Sequence, residues 1–239
     1  MERLLLIDDD ETTRELLTAL LGAEGWFVTE AASGDDAVTL APFVFPQVIL
    51  SDLQMPGLSG PQLAAELCAA CDQRPFLIAM TATPGTDVPA GFDALLIKPF
   101  DASEVRRICT SLPSAGSVLH RPSSDEAQSI RIDALQRLLS AMPSEQVQSL
   151  YDFALTDAEL RVTRMEDAAH AGDDDTFRKE AHALKGSCGM IGAERLRHLA
   201  AAAEDGGVAT SMPSNDFSEV RKEISAVRLM LEELLLNDI

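Results

Sequence analysis

A histidine at position 182 stands inside the stretch Phe177 to Gly192, FRKEAHALKGSCGMIG. With about 100° between successive helical residues, Phe177, Ala181, Leu184, Cys188 and Ile191 fall on one apolar stripe, and His182 lies roughly 140° away from it. This histidine is expected to point outwards. Arg178 and Lys185 sit one turn to either side, and Gly186 and Gly189 flank the same face, although a glycine inside a helix costs about 1 kcal/mol against alanine. Something must approach this face closely. A metal is a poor fit: positions 178, 179, 185 and 186 are Arg, Lys, Lys and Gly, so the neighbouring turns offer no second ligand. Cations repel a metal ion and attract a phosphoryl group. An imidazole nitrogen that is neutral in a good fraction of molecules near pH 7 is nucleophilic without a separate strong base.

A second set of reactive residues follows short apolar runs in the first 111 positions. Asp8, Asp9 and Asp10 follow the first run, Asp52 the third, Thr81 and Ala82 the fourth, and Lys98 the fifth. Carboxylates gathered on adjacent strand ends repel one another unless a cation sits among them, and hard oxygen ligands with open positions suit Mg²⁺. Acids also cap the helices that follow strands, and Asp10 or Glu11 needs no other explanation. Capping does not account for Asp52, which is followed by LQMPG, or for Lys98 before Pro99.

These residues need elements to hold them. Arg3 to Ile7, Trp26 to Glu30, Gln47 to Ser51, Pro75 to Met80 and Ala94 to Ile97 read as strands. Helical patterns alternate with them at Glu11 to Ala23, Gly34 to Ala41, Ser59 to Cys71 and Ala102 to Ser111. That alternation is the signature of a parallel sheet with helices on both faces, where chemistry collects at the carboxyl ends of the strands near the topological switch point. Between Thr81 and Lys98 the segment ATPGTDVPAGFDALLI holds two prolines and two glycines and leaves little room for a helix. Residues 1–111 form the first domain, and 112–129, rich in Ser and Pro without apolar periodicity, a linker that contains His120. From 130 to 239 every apolar pattern is helical: a short helix from Ile132 to Leu139, a long one capped by Ser144 and ending at Gly172, the His182 helix opened by Asp173, Asp174 and Asp175, a helix from Ala193 closed by Gly206 and Gly207, and a last one from Ser214 to Asn237. Long antiparallel helices with short connections predict a four-helix bundle with a short helix leading in.

Composition narrows the function classes. A length of 239 residues suits two domains. The formal net charge of −20 is shared by both halves, with 6 basic and 17 acidic residues in 1–111 and 12 basic and 22 acidic in 125–239. Neither half is a basic nucleic-acid module, and anionic membranes are excluded as a surface. No apolar run approaches the roughly 18 residues needed to span a bilayer, and MERLLLIDDDE meets a triple carboxylate where a signal peptide would continue, so a cytoplasmic protein is expected. Cys68 and Cys71 form a CxxC without a second pair at zinc spacing, and buried helix cysteines are the better reading. There is no nucleotide-binding glycine loop, so the chain does not draw phosphate from ATP itself.

IDDDE, SDLQMPGLSG, MTAT and IKPF, in this order, resemble the receiver domain of two-component response regulators. The resemblance implies a flavodoxin-like doubly wound α/β sheet of strand order 2-1-3-4-5, here with a shortened fourth helix. It implies that Asp52 is the phosphoryl acceptor, that Asp9 and Asp52 with the carbonyl of Gln54 hold Mg²⁺, and that Asp8 assists through water. Lys98 would contact the phosphoryl group, and Thr81 with the Ala82 backbone would bind its oxygens. Ser59 stands where the family usually has Asp, and Leu95 where many receivers carry an aromatic that turns inward on activation, which implies a muted switch. EAHALKGSCGMIGAERL resembles the active helix of histidine-containing phosphotransfer (HPt) domains, and implies that His182 is the phosphoryl carrier, Lys185 the partner of its oxygens and Gly186 the clearance for an incoming receiver. Together the two imply a phosphorelay protein rather than an enzyme, one that passes a phosphoryl group between a sensor histidine kinase and a downstream response regulator. Its receiver would catalyse at most its own phosphorylation and dephosphorylation. A degenerate receiver serving as a scaffold or phosphate sink is the alternative. A Mg²⁺-dependent phosphohydrolase fits less well, because Gln54 stands where such enzymes carry a second acid.

Overall fold

The computed structural model describes residues 2–83, 85–110, 118–119, 129–210 and 217–236, and most of the expected linker, His120 included, lies outside them. The chain divides into two compact units, residues 1–122 and 123–239.

In the first unit five apolar runs become strands: β1 (Arg3–Ile7), β2 (Phe27–Ala31), β3 (Val48–Asp52), β4 (Phe76–Thr81) and β5 (Ala94–Ile97). They pair in parallel in the order β2-β1-β3-β4-β5. β6 (Val118–Leu119), inside the stretch read as linker, adds a short sixth strand parallel to β5. Leu4, Leu5, Leu6, Ile7, Ile49, Leu50, Leu95 and Leu96 are fully buried, as continuous apolar runs must be when helices cover both faces of a parallel sheet. Those helices are α1 (Glu11–Ala23), α2 (Gly34–Val44), α3 (Gly60–Ala70) and α4 (Ala102–Thr110). Asp10 caps α1 through a 2.9 Å bond from the Thr13 amide, the role expected of it. Among the described residues no helix lies between β4 and β5, so the fourth helix expected to be short is missing there. The order places the switch point between β1 and β3, with Asp8 and Asp52 at their carboxyl ends.

The second unit is all helical. α5 (Ile132–Ala141) leads into α6 (Ser144–Ala171), α7 (Asp174–Met190), α8 (Glu194–Thr210) and α9 (Ser218–Leu236). α6 packs on α7, α7 on α8, α8 on α9 and α9 back on α6, which closes a four-helix bundle. Ser144 is the first helical residue and not the cap; Pro143 holds the cap position, where its fixed φ and missing N–H suit a helix start. α8 does not stop at Gly206 and Gly207 as expected: the chain breaks at Gly207 and resumes helically to Thr210. The α7 stripe behaves as its spacing predicts, with Phe177, Ala181, Leu184, Cys188 and Ile191 all buried. Phe177 meets Phe217 at a ring separation of 6.2 Å.

The far end of α7 is pinned to α6. The Tyr151 hydroxyl, fully buried, donates to the Ile191 carbonyl at 2.5 Å, and burial pushes the phenol above its usual range, so it stays a donor. Tyr151→Phe should lower the stability of the helical unit by about 1–3 kcal/mol, the cost of leaving a buried carbonyl unpaired. Urea unfolding of the full chain followed by far-UV circular dichroism measures it; an unchanged midpoint for the helical transition would refute the pinning role.

Candidate functional site

Each unit carries one cluster of reactive side chains. In the first, Asp8 is 1% exposed and Asp52 4%. The Lys98 ammonium lies between them, 2.8 Å from Asp8 Oδ2 and 2.7 Å from Asp52 Oδ2. Lys98 follows β5, and its side chain reaches past β4 to the ends of β1 and β3. Its backbone N–H donates to the Thr81 carbonyl at 2.7 Å, which ties the β4 and β5 ends together. The remaining oxygens bind the loop: Asp52 Oδ1 accepts the Gln54 amide at 3.0 Å and Asp8 Oδ1 the Asp10 amide at 3.0 Å. Thr81, also buried, accepts the Thr83 amide on its hydroxyl at 3.1 Å. Leu95 is part of the apolar core and no exposed switch element.

Two carboxylates share one ammonium here, and the titration of Asp8 reflects it. Burial, with the Asp52 charge adding and Lys98 opposing, pushes the Asp8 carboxyl up to about 6. Burial alone would drag the Lys98 ammonium down, yet the charges of Asp8 and Asp52 outweigh it and hold the amine above its usual range. All-oxygen donors and an undercompensated carboxylate pair fit a hard divalent cation such as Mg²⁺ in chemistry. Asp9 is half-buried and Gln54 exposed; among the described residues no three acidic, histidine or cysteine side chains converge on one point, and Asp8 and Asp52 close on Lys98 instead.

In the second unit His182 is not as outward as its helical angle predicts. Its side chain is 28% exposed, and its Nδ1 lies 2.7 Å from Glu204 Oε1 on α8. The other Glu204 oxygen accepts from the Lys185 ammonium. Burial would raise the Glu204 carboxyl, but the His182 and Lys185 hydrogen bonds overcome it and bring the group down to about 2. A carboxylate that stays ionised only accepts, so Nδ1–H is the donor in this contact, and in the neutral ring the lone pair then sits on Nε2. Among the described residues none bonds Nε2. An added Cβ at Gly186 would meet nothing within 4 Å, so this face is open, whereas Gly189 is buried. Arg178, expected beside His182 as a cation, is turned away and bonds Asp174 and the α8 backbone. Glu204 was not legible from the sequence: it lies 22 positions from His182, among ordinary acids before a double glycine.

The profile of the response regulator receiver domain matches residues 4–110, and that of the Hpt domain residues 149–235. Protein PilH of Pseudomonas aeruginosa is 39% identical over 89 residues, which are 36% of this chain and 74% of PilH. The chain belongs to the response regulator receiver family and carries an Hpt domain. Response regulator MprA of a Mycobacterium species is 29% identical over 168 residues, covering 68% of this chain and 70% of MprA. The chain spans only 27% of the Positive alginate biosynthesis regulatory protein of P. aeruginosa, to which it is 43% identical over 67 residues, 27% of its own length. The receiver domain of a P. aeruginosa sensor histidine kinase, solved with magnesium coordinated in its active-site cleft, is 32% identical, with 45% of this chain and 93% of that domain covered at a TM-score of 0.41. A receiver with an Hpt domain makes this a two-component phosphorelay protein. No described helix is long and apolar enough to cross a membrane.

Opposite pKa shifts in the two clusters have opposite consequences. Asp8 titrates higher folded, at about 6, than its ordinary 3.8, so its charge opposes folding above about 6 and ceases to do so below 3.8. Asp8→Asn should therefore raise the melting temperature of the receiver in metal-free buffer near pH 7, and a fall would refute the frustration of this pair. Glu204 titrates lower folded, at about 2 against 4.5, so its stabilisation is complete above about 4.5 and is lost as pH falls towards 2. Glu204→Gln should abolish that part of the acid destabilisation of the Hpt bundle, read from thermal melts between those two pH values; a variant whose melting falls as steeply as wild type would show that Glu204 does not carry it.

Proposed function

We propose that Asp52 accepts a phosphoryl group and His182 carries one, so that the chain passes phosphate between a sensor histidine kinase and a downstream response regulator. The observation that carries this reading is the bonding of His182: Glu204 takes Nδ1–H and leaves Nε2 as the nucleophile on a face opened by Gly186. The division we propose is a receiver at 1–111, a linker at 112–129 and the phosphotransfer bundle at 130–239, and the family matches to 4–110 and 149–235 fall inside it.

In the receiver, a carboxylate oxygen of Asp52 attacks phosphorus as the bond to the donor breaks, giving an acyl phosphate. Lys98, already bonded to Asp52, neutralises one charge of the incoming group, and the Thr81 hydroxyl with the Ala82 amide receives its oxygens. Asp9, Asp52 and the Gln54 carbonyl would hold Mg²⁺, with Asp8 acting through water, and the ion would supply the charge neutralisation that one lysine leaves incomplete. In the bundle, Nε2 of His182 attacks the phosphorus of an aspartyl phosphate; the N–P bond forms, the P–O bond breaks and the aspartate leaves as a carboxylate. The positive charge gained by the ring is met by Glu204 through Nδ1–H, and the same proton lets the ring leave as neutral imidazole in the reverse transfer. Lys185 passes from Glu204 to the phosphoryl oxygens. On this reading the chain turns over no free substrate, and a cytoplasmic location follows from its kinase and regulator partners.

The scaffold or phosphate-sink reading draws on the missing helix between β4 and β5 and on the aliphatic Leu95. Charging the full chain separates the two. Acetyl phosphate with Mg²⁺ should place an acyl phosphate on Asp52 that Asp52→Asn lacks. Phosphoramidate should give a phosphohistidine that His182→Gln lacks. The charged His182→Gln chain, mixed with Asp52→Asn, should pass its label to His182 of the second chain if transfer runs between molecules. Label on Asp52 with none ever reaching His182 would favour the sink, and no label on either residue would sink both readings.

A further inference from the structure

α8 is broken next to the residue that holds His182. Gly207 has φ 61° and ψ −170°, which is not helical, so the carbonyls before it lose the amide partners that another helical turn would provide. Arg178 of α7 takes their place: its Nη1 donates to the Asp205 carbonyl at 3.2 Å and, more closely, to the Glu204 carbonyl. Its Nε donates to Asp174 Oδ2 at 2.6 Å, and the other Asp174 oxygen accepts the Val208 amide at 2.7 Å on the far side of the break. The two α7 side chains thus hold both lips of the α8 break. A Cβ at Gly207 would collide with Arg178 Nη2 and Asp174 Oδ1, so the break is shaped to admit this pair.

Along α7, Asp174, Arg178, His182 and Lys185 follow one another at spacings of four, four and three and share a face. Glu204 is touched twice from that face, by Arg178 at its backbone carbonyl and by His182 and Lys185 at its carboxylate. We propose that Asp174 and Arg178 form a positioning pair for the phosphohistidine site, acting through the broken end of α8 to hold Glu204 on His182 and Lys185. Arg178 thereby contributes to phosphotransfer without touching the phosphoryl group, although its place one turn from His182 suggests a direct ligand. The inference rests on the assignment of His182 as the carrier.

The test uses the full chain labelled with ¹⁵N-histidine, in wild type and in Arg178→Ala, Asp174→Asn and Gly207→Ala. Histidine ¹⁵N shifts report the tautomer, and ³¹P spectra after phosphoramidate treatment report the rate and the ring nitrogen phosphorylated. Gly207→Ala removes no charge and no phosphoryl ligand, yet displaces Arg178. A positioning pair predicts that Gly207→Ala and Arg178→Ala both lose the Nδ1–H preference of His182. Both should also slow phosphorylation about tenfold, comparable to removing the partner that orients a metal-ligating histidine. Asp174→Asn, the mildest change, should move the tautomer in the same direction and keep the far-UV circular dichroism of the bundle. Folded Arg178→Ala or Asp174→Asn with wild-type tautomer and rate overturns the proposal, and so does slow Arg178→Ala beside normal Gly207→Ala, which would make Arg178 a direct ligand. The tautomer needs no phosphate, so if phosphoramidate leaves wild-type His182 unlabelled, the carrier assignment fails while the shifts still decide whether the pair positions the ring.

Discussion

The receiver depends on one ammonium group held between two carboxylates out of water. Burying a charge is tolerable only when it is paired, and Lys98 pairs with both Asp8 and Asp52 yet neutralises only one of them. Burial first, and the neighbouring Asp52 charge after it, outweigh Lys98 and raise the Asp8 carboxyl to about 6. The rest of the unit fixes this mismatch in place. Apolar β1 and β3, buried on both faces, bring the two acids side by side at the switch point, and the cation comes from the end of β5 on a side chain long enough to cross β4.

The Hpt bundle inverts the same charge rule. One carboxylate, Glu204, receives two donors, and its pKa falls where that of Asp8 rises. The proposed relay would therefore present opposite charge conditions at its two ends. On the proposed reading, a phosphoryl group on Asp52 would add negative charge where one ammonium already serves two carboxylates. At His182 the Lys185 ammonium is engaged by Glu204, and the proposed transfer would have it change partner while the imidazole keeps its own. In the proposed transfer Glu204 would stabilise the charged ring in one direction, and the retained Nδ1 proton would let the ring leave as neutral imidazole in the other.

Where the sequence was legible, the signal was local and periodic. Strand runs, the buried stripe of α7, the Asp10 cap and the positions of Asp8, Asp52, Thr81 and Lys98 at strand ends all follow from alternation and spacing. What escaped depends on pairing between elements. Glu204 and the redirected Arg178 belong to a contact between α7 and α8 that no spacing within one helix encodes. The double glycine before Val208 reads as a stop because glycine commonly ends helices, yet the chain resumes after it, since Asp174 offers the Val208 amide a new acceptor. Val118 and Leu119 joined the sheet from a stretch too short and too polar in its surroundings to show alternation.

Among the described residues no helix lies between β4 and β5, and its place has a physical replacement. A helix there would bury an apolar stripe against the sheet and orient the strand end that carries Thr81. In its stead Phe92 enters the core beside Leu63, Ala64, Leu67 and Leu95, with Val88 packed against the same cluster. Asp93 fixes the far end, taking both Arg74 nitrogens at 2.9 Å and the Leu77 amide at 2.8 Å. Gly91, at φ +90°, lets the backbone pass Ala64 of α3 so closely that a Cβ would approach to 2.9 Å. The apolar covering and the anchoring are thus met by a bidentate ion pair, one aromatic and a close crossing.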